Sequence, residues 1–249
     1  MELKGATALV TGGTGGLGRR ICWAFARAGT SVSIVYQHSK DAAEALAAEL
    51  SALGPRCIAV AADVTAAEGV DAMIGQTMSE LGRIDVLVNN AAYNRAIAFD
   101  DLETLDPEVF RYIIEYNLTS PFVAMRAVGP IMKRQGQGRI VNVSSVAGLA
   151  PQGSSIAYAV SKSGLIHLTR CMAVALAPEV LVNSVAPGLM EGTRMTANLT
   201  PTHVQRALQN SALKRPTDKD DVADAVVTFA RSDSITGQTL VVDAGRVYH

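Results

Sequence analysis

Short apolar runs alternate with longer amphipathic stretches along the whole of this chain. The runs are rich in Val, Ile, Leu and Ala, and their length is typical of β-strands. They lie at residues 6–11, 31–36, 57–62, 85–89, 139–144, 181–185 and 239–242. The stretches between them have helical periodicity or end at helix terminators such as Gly54-Pro55. The predicted helices lie at residues 21–29, 40–53, 71–81, 107–134, 158–176 and 220–231.

Strands that are apolar along their length and separated by helices predict a parallel sheet with helices on both faces. The expected fold class is therefore α/β, a doubly wound parallel sheet of about seven strands, the Rossmann fold. No linker, repeat or low-complexity tract divides residues 1–249, which predicts a single domain. Residues 187–216 are the least regular part and directly follow a strand. Because such sheets bind ligands at the carboxyl ends of strands, this segment is a predicted substrate lid.

The charge balance excludes several classes of function. The chain has 22 Lys and Arg against 23 Asp and Glu, a net charge of −1, so no basic excess is available to bind nucleic acid or an anionic membrane. The N-terminus lacks a basic segment followed by a long apolar one, and no charge-free stretch is apolar enough to span a bilayer. We expect a cytoplasmic protein with neither nucleic acid nor membrane as a partner.

The cysteines and histidines predict neither a disulfide framework nor a metal site. Cys22, Cys57 and Cys171 are odd in number and lack CxxC spacing. They are therefore predicted to be buried free thiols in a reducing cytosol. The 4 histidines have neither HxxxH nor HExxH spacing, so no metal is expected.

A glycine-rich turn joins the first strand to the first helix. The sequence Thr11-Gly-Gly-Thr-Gly-Gly-Leu-Gly18 contains both Gly13-x-Gly15-x-x-Gly18 and Gly12-x-x-x-Gly16-x-Gly18. Without Cβ atoms the backbone turns sharply and approaches a pyrophosphate, while the helix N-terminus offers free N–H groups. The flanking strand and helix supply the context in which this pattern indicates dinucleotide binding. The predicted contacts are Gly12, Thr14, Gly15, Gly16, Leu17 and Gly18.

The end of the second strand bears on the choice between NAD and NADP. An acid at this place would accept a hydrogen bond from the free 2′-OH of NAD, whereas neutral or basic residues tolerate the 2′-phosphate of NADP. The sequence here is Tyr36-Gln37-His38-Ser39-Lys40, and no acid occurs before Asp41. NADP is therefore favoured over NAD, with Tyr36, Gln37 and Ser39 as predicted cofactor contacts.

Tyr158 and Lys162 are four residues apart in a predicted helix and therefore share one face. A nearby cation stabilises a phenolate, which lowers the pKa of the phenol from its usual value near 10. The same spacing is also found in ordinary exposed helix pairs. The pair is of interest here because a hydroxyl, Ser145, follows a strand at the edge where a substrate carbonyl would lie. Ser144 is the competing candidate, although a hydroxyl at that position would more readily bond to the backbone.

Together these features resemble the short-chain dehydrogenase/reductase family, in its compact single-domain subgroup. The resemblance extends over essentially the whole chain and rests on Thr11-Gly-x-x-x-Gly-x-Gly18, Ala62-Asp63-Val64, Asn89-Asn90-Ala91, Asn117, Ser145, Tyr158-x-x-x-Lys162 and Pro187-Gly188. Two positions depart from the family pattern. Ala92 stands where glycine is usual after Asn-Asn-Ala, and Ala244 stands where glycine is common near the C-terminus.

The resemblance implies hydride transfer between a nicotinamide cofactor and a carbonyl or alcohol. It implies that Tyr158 is the acid/base and that Ser145 bonds the substrate oxygen. It further implies that Lys162 lowers the Tyr158 pKa and holds the nicotinamide ribose, and that Asn117 supports a water linking Lys162 to solvent. The further cofactor contacts that it implies are Asp63, Val64, Asn90, Ala91, Tyr158, Lys162, Pro187, Gly188, Met190 and Thr193.

Within the family the chain most resembles the acyl-carrier-protein reductases, so NADPH-dependent reduction of a 3-oxoacyl thioester is the leading expectation. The alternatives are a reductase or dehydrogenase of a sugar, steroid or other small ketone, and a regulator that senses NADP(H) without turnover. Candidate pocket residues are Tyr93, Asn94, Gln152, Leu189 and Met190. Family members are commonly tetramers whose long helices pair, so we expect a homotetramer with interfaces on the apolar faces of residues 109–128 and 158–176.

Overall fold

In a computed structural model, which describes residues 1–197 and 201–248, the chain forms one seven-stranded sheet. All adjacent strands are parallel, in the order β3-β2-β1-β4-β5-β6-β7. The strands are β1 (Thr7–Val10), β2 (Ser31–Tyr36), β3 (Cys57–Ala61), β4 (Val86–Asn89), β5 (Gly138–Val143), β6 (Val180–Pro187) and β7 (Thr239–Val242). The order reverses between β1 and β4, and such a reversal opens a ligand crevice at the carboxyl ends of the strands.

Helices cover both faces of the sheet, as the apolar strands predicted. They are α1 (Gly16–Arg27), α2 (Lys40–Ser51), α3 (Ala67–Leu81), α4 (Pro107–Ile114), α5 (Ser120–Gln135), α6 (Ile156–Leu176), α7 (Pro201–Gln209) and α8 (Lys219–Arg231). On β1, Ala8 and Val10 pack in the core beneath α1, α2 and α8, while Leu9 packs beneath α3, α5 and α6. Burial on both faces explains why the strands lack polar alternation.

The predicted lid segment, residues 187–216, is more regular than its pattern suggested, because it contains α7. The sequence pattern predicts that Pro201 interrupts regular structure, but proline is also favoured at the first position of a helix. Residues 198–200 of the predicted lid lie outside the described residues. Two predicted helix starts also shifted: α1 begins at Gly16, ahead of residue 21, and α3 begins at Ala67, ahead of residue 71.

The long helical stretch predicted at residues 107–134 is interrupted by one wide turn. Between α4 and α5, Glu115–Thr119 form a π-helical turn, and the Ser120 hydroxyl donates to the Glu115 carbonyl oxygen at 2.9 Å. Such turns often occur at functional sites. This one contains Asn117, whose side chain is fully buried.

The thiols differ from the expectation at one position. Cys22 and Cys57 are buried, but Cys171 is exposed. The expectation of three buried thiols is therefore wrong for Cys171, because its neighbours Met172 and Ala173 occupy the face of α6 that packs on the sheet. None of the helices that the structure describes is long and apolar enough to cross a membrane.

Candidate active site

One large cleft opens at the carboxyl ends of the strands, with a volume of about 440 Å³. This size is typical of cofactor sites. Nearly all of the sequence-predicted site residues line it. They are Gly12, Thr14, Gly15, Gly16, Leu17, Gly18, Tyr36, Gln37, Ser39, Val64, Asn90, Ala91, Ser145, Tyr158, Lys162, Pro187, Gly188, Met190 and Thr193.

Two predicted site residues, Asp63 and Asn117, are not among the residues that line the cleft. The Asp63 carboxylate accepts from the Thr65 backbone N–H at 2.9 Å and from the Thr65 hydroxyl at 2.7 Å. These hydrogen bonds hold the pKa of Asp63 below its ordinary value. Asp63 therefore shapes the loop after β3 in this structure, and its contact with an adenine stays a prediction.

The glycine-rich turn is too tightly packed for a side chain at Gly18, and its backbone favours glycine at Gly12. A Cβ at Gly18 would lie 2.1 Å from the carbonyl oxygen of Gly12, and Gly12 itself has a φ of +62°, which favours glycine. The Asn90 side-chain amide donates to the carbonyl oxygens of Thr11 and Gly12 at 2.9 and 3.1 Å. Asn90, which directly follows β4, therefore fixes the conformation of the turn that follows β1.

This turn fits the pyrophosphate of a dinucleotide. The N-cap of α1 is Gly15, which has no side chain to satisfy the first N–H groups of the helix. Gly15, Gly16 and Leu17 line the cleft, so these N–H groups and the positive end of the helix dipole are available to an anion.

The charge of the cleft also suits a polyanion. Its lining includes three cationic side chains, Lys162, Arg194 and Arg246, and none of the described residues that line it is Asp or Glu. At the β2 end the lining is Tyr36, Gln37, His38 and Ser39. Lys40 instead forms an exposed ion pair with Glu44 at 3.8 Å.

The catalytic candidates converge at the start of α6. The Ser155 hydroxyl caps this helix by accepting from the Tyr158 backbone N–H at 3.1 Å, which places Tyr158 in the first turn. Lys162 lies one turn later, and its Nζ is 5.8 Å from the centre of the Tyr158 ring. The same Nζ donates to the Val143 carbonyl oxygen at 2.9 Å. The end of β5 thus holds the lysine beside the tyrosine.

The structure distinguishes the two candidate serines by their partners. The Ser144 hydroxyl is buried, where it shares a 2.7 Å hydrogen bond with the Ser184 hydroxyl and donates to the Val185 carbonyl oxygen at 3.1 Å. Ser145 instead lines the cleft together with Tyr158, and its hydroxyl accepts only from the Ala147 backbone N–H, at 3.2 Å, among the described residues. Ser144 therefore joins β5 to β6, and Ser145 is the hydroxyl available to a ligand.

Burial controls the protonation of both titratable groups. It raises the pKa of Tyr158 to about 12, against a smaller lowering by the hydrogen bond with Ser145, and it lowers the pKa of Lys162 to about 7. Desolvation thus dominates the pKa of Tyr158, rather than the expected lowering by Lys162. The phenol is protonated at neutral pH, which is the state that a proton donor requires.

Asn117 connects α6 to the loop after β4. Its side-chain oxygen accepts from the Tyr93 backbone N–H at 2.9 Å, and its amide donates to the Tyr93 carbonyl oxygen at 2.8 Å. The amide also donates to the Ser161 hydroxyl at 3.1 Å, and Ser161 donates to the Tyr158 carbonyl oxygen at 2.7 Å. The wide turn between α4 and α5 therefore positions Asn117 to hold the start of α6.

The structure adds several residues to the cleft and leaves one predicted pocket residue out of it. Asn94, Gln152, Leu189 and Met190 line the cleft as predicted, but Tyr93 does not. Its ring packs edge-on against Tyr112, with centroids 4.9 Å apart. The polar and aromatic lining residues that sequence reasoning missed include His38, Tyr116, Arg194 and Arg246. Two of them have a local signal: His38 lies within the Tyr36–Lys40 stretch, and Arg246 lies two residues after the departure from the family pattern at Ala244.

A doubly wound sheet with a glycine-rich turn at its reversal and a Ser–Tyr–Lys group beside it defines a class, the NAD(P)-dependent oxidoreductases. A sequence model of the short chain dehydrogenase family matches residues 6–204. The chain belongs to the short-chain dehydrogenase/reductase family.

Individual relatives match over nearly the full length. The chain is 39% identical over 249 residues to a 3-oxoacyl-[acyl-carrier-protein] reductase of Synechocystis sp., with 98% of each chain covered. It is 35% identical over 242 residues to the enzyme of the same name from Staphylococcus epidermidis, covering 96% of this chain and 98% of that one. The structure of an NADPH-dependent 3-quinuclidinone reductase from Rhodotorula rubra superposes with a TM-score of 0.91 at 28% identity, covering 98% of this chain and 92% of that one.

Proposed function

We propose that this protein reduces a ketone with NADPH, with a 3-oxoacyl thioester as the leading substrate class. One observation carries the proposal: the same cleft brings together Ser145, Tyr158 and Lys162, with the Lys162 Nζ 5.8 Å from the centre of the Tyr158 ring. Two relatives that match over nearly the full chain are named as 3-oxoacyl-[acyl-carrier-protein] reductases, which supports the substrate class.

The residues of the cleft have distinct tasks in this reaction. When bound, a reduced nicotinamide supplies the hydride, so that the carbonyl carbon is reduced and the cofactor oxidised. Ser145 and Tyr158 donate hydrogen bonds to the carbonyl oxygen, where negative charge develops. Tyr158 transfers its proton to that oxygen, the product is the alcohol, and the resulting tyrosinate regains a proton from solvent. Lys162 in its charged form stabilises the tyrosinate, and Asn117 is a positioning residue for α6.

NADP is the preferred cofactor in this proposal. The described residues that line the cleft near the end of β2 include no carboxylate that would accept the 2′-OH of NAD. Gln37, His38 and Ser39 instead offer hydrogen-bonding side chains to a 2′-phosphate.

The central experiment follows cofactor oxidation by the purified protein, with NADPH and NADH in parallel. The panel contains a 3-oxoacyl thioester, a sugar ketone, a steroid ketone and a small cyclic ketone. We expect oxidation to depend on the ketone, the highest kcat/KM for the thioester, and a preference of about tenfold or more for NADPH, since a phosphate gains charge-assisted hydrogen bonds. Tighter binding and faster turnover with NADH would overturn the choice of cofactor. Cofactor binding without oxidation by any ketone would instead favour the NADP(H)-sensing regulator.

We also propose a homotetramer. Large apolar side chains remain exposed on the helices expected at the interfaces, with Tyr112 50% exposed on α4, and Phe122 on α5 and Val160 on α6 exposed as well. Val174, on α6, is 82% exposed. Exposed apolar patches of this kind commonly mark contacts between chains. Light scattering should give a mass about four times the 26.1 kDa of one chain, and the mass of a monomer would contradict the proposal.

A further inference from the structure

A half-buried arginine reaches the cleft from the C-terminal tail. Arg246 lines the same cavity as Ser145 and Tyr158, and its Nη2 donates to the side-chain oxygen of Gln152 at 2.9 Å. Gln152 precedes Gly153, where a Cβ would lie 3.5 Å from the Tyr158 ring. The guanidinium is therefore at the tyrosine end of the cleft, away from the glycine-rich turn.

The tail holds Arg246 in place through a strained turn. Ala244 and Gly245 have φ values of 57° and 73°, and such a conformation is unfavourable for a residue with a Cβ. The Asp243 carboxylate accepts from two backbone N–H groups of the tail at 2.9 and 2.7 Å. The carbonyl oxygens of Gly245 and Ala244 accept from two N–H groups after α7 at 2.9 and 3.0 Å. These hydrogen bonds hold the turn in one conformation, and that conformation directs Arg246 into the cleft.

The charge on Arg246 has no carboxylate partner among the residues that the structure describes. Asp243 is the acid whose charge acts on it, but both oxygens of that carboxylate bond to the backbone. Burial lowers the pKa of Arg246, and the charge of Asp243 opposes this effect. A partly buried cation whose only side-chain hydrogen bond is to a neutral amide gains charge-assisted hydrogen bonds when an anion joins it.

The geometry of the donors indicates which anion fits. The Gln152 oxygen already accepts from Arg246, which leaves the amide N–H₂ of Gln152 as a donor beside the remaining guanidinium N–H groups. Guanidinium groups bind carboxylates through two parallel hydrogen bonds. Because the site adjoins Tyr158, it suits a carboxylate a few bonds from the reacting carbonyl. The phosphate of a pantetheine-type thioester lies many bonds from its oxo group.

We propose that Arg246 and Gln152 form a subsite for a carboxylate of the substrate. The preferred ketone then carries a carboxylate close to its oxo group, either as a free oxo acid or within the acyl group of a 3-oxoacyl thioester. This inference rests on the proposed ketone reduction at Tyr158 and narrows the class of ketone. Arg246 is accordingly a specificity-determining residue.

The test compares levulinate, an oxo acid, with its neutral methyl ester in the wild-type protein and in Arg246→Gln. We expect the wild type to favour the acid, and Arg246→Gln to lower the acid-to-ester ratio of kcat/KM by about 10- to 100-fold, the range for losing a hydrogen bond to a charged group. The loss should be mainly in KM, because the subsite binds rather than reacts. Arg246→Lys should retain part of the ratio, since it keeps the charge without the planar pair of donors.

The matched control is Arg231→Gln, which removes an exposed arginine outside the cleft. The same acid-to-ester ratio in Arg246→Gln and the wild type would overturn the subsite, and so would a wild-type preference for the ester. Failure of ketone reduction itself is distinguished by a binding measurement. Levulinate should raise the Tm of the wild type more than its ester does, and Arg246→Gln should lose this difference even if no ketone is turned over. Equal shifts in both proteins would reject the subsite independently of activity.

Discussion

Replacing Tyr158 with phenylalanine should lower kcat for ketone reduction by about 10²- to 10⁴-fold, the usual contribution of a positioned general acid. The variant removes one oxygen atom and keeps the ring, so packing at the start of α6 changes little. What is lost is the proton that neutralises the developing alkoxide. The measurement is the rate of NADPH oxidation with the best ketone of the panel, together with the affinity for NADPH.

Tyr112→Phe is the matched control for this substitution. It removes the same atom from a half-exposed tyrosine that does not line the cleft, and its kcat should stay within about twofold of the wild type, as is usual for surface substitutions. If Tyr158→Phe retained turnover within tenfold of the wild type, the proton would have to come from another group, and the mechanism proposed here would be wrong.

Replacing Gly18 with alanine should severely weaken cofactor binding. The added Cβ would lie 2.1 Å from the Gly12 carbonyl oxygen and 2.8 Å from the side-chain nitrogen of Asn90. The Gly12 oxygen cannot easily move, because the Gly15 backbone N–H donates to it at 3.1 Å, as does Asn90. Relief of such overpacking costs about 1–3 kcal/mol. If that cost falls on the binding-competent turn, NADPH affinity drops by about 10- to 100-fold.

The control for Gly18→Ala is Gly75→Ala, on the outer part of α3, where a Cβ would have no other atom within 4 Å. That variant should bind NADPH normally, and its free energy of unfolding should rise by up to about 1 kcal/mol from improved helix propensity. Equilibrium titration with NADPH and thermal unfolding of the three proteins provide the comparison. Wild-type affinity in Gly18→Ala would show that the turn tolerates a side chain and is not the pyrophosphate site.

Much of the site could be predicted because its signals are local. The glycine-rich turn follows directly from one strand and begins one helix, and the spacing of Tyr158 and Lys162 matches one helical turn. The choice between Ser144 and Ser145 depended on a contact with a neighbouring strand. The Ser144 hydroxyl is engaged by its hydrogen bond to Ser184, a residue of the neighbouring strand, and strand order cannot be obtained from the residues around either serine.

The positions of Asp63, Asn117 and Arg246 have physical reasons of the same kind. Asp63 does not line the cleft because its carboxylate bonds to Thr65 instead. Asparagine is unfavourable inside a helix, but the role of Asn117 as a brace depends on the wide turn that Ser120 helps to close. Arg246 and its partner Gln152 are 94 residues apart, so no local pattern could bring them together.

By itself, the sequence determined the elements of this protein: seven apolar strands, the helices that cover them, the glycine-rich turn and the spacing of the Tyr–Lys pair. Periodicity and spacing act over one or two turns of chain, so they can be read without the fold. Only the tertiary structure decided what these elements enclose. It placed Arg246 against Gln152 in the cleft, connected Asn117 to α6, and desolvated Tyr158 and Lys162 so that the pKa of Tyr158 rises to about 12 and that of Lys162 falls to about 7. Burial and long-range contacts depend on how distant segments pack, and packing is a property of the whole chain.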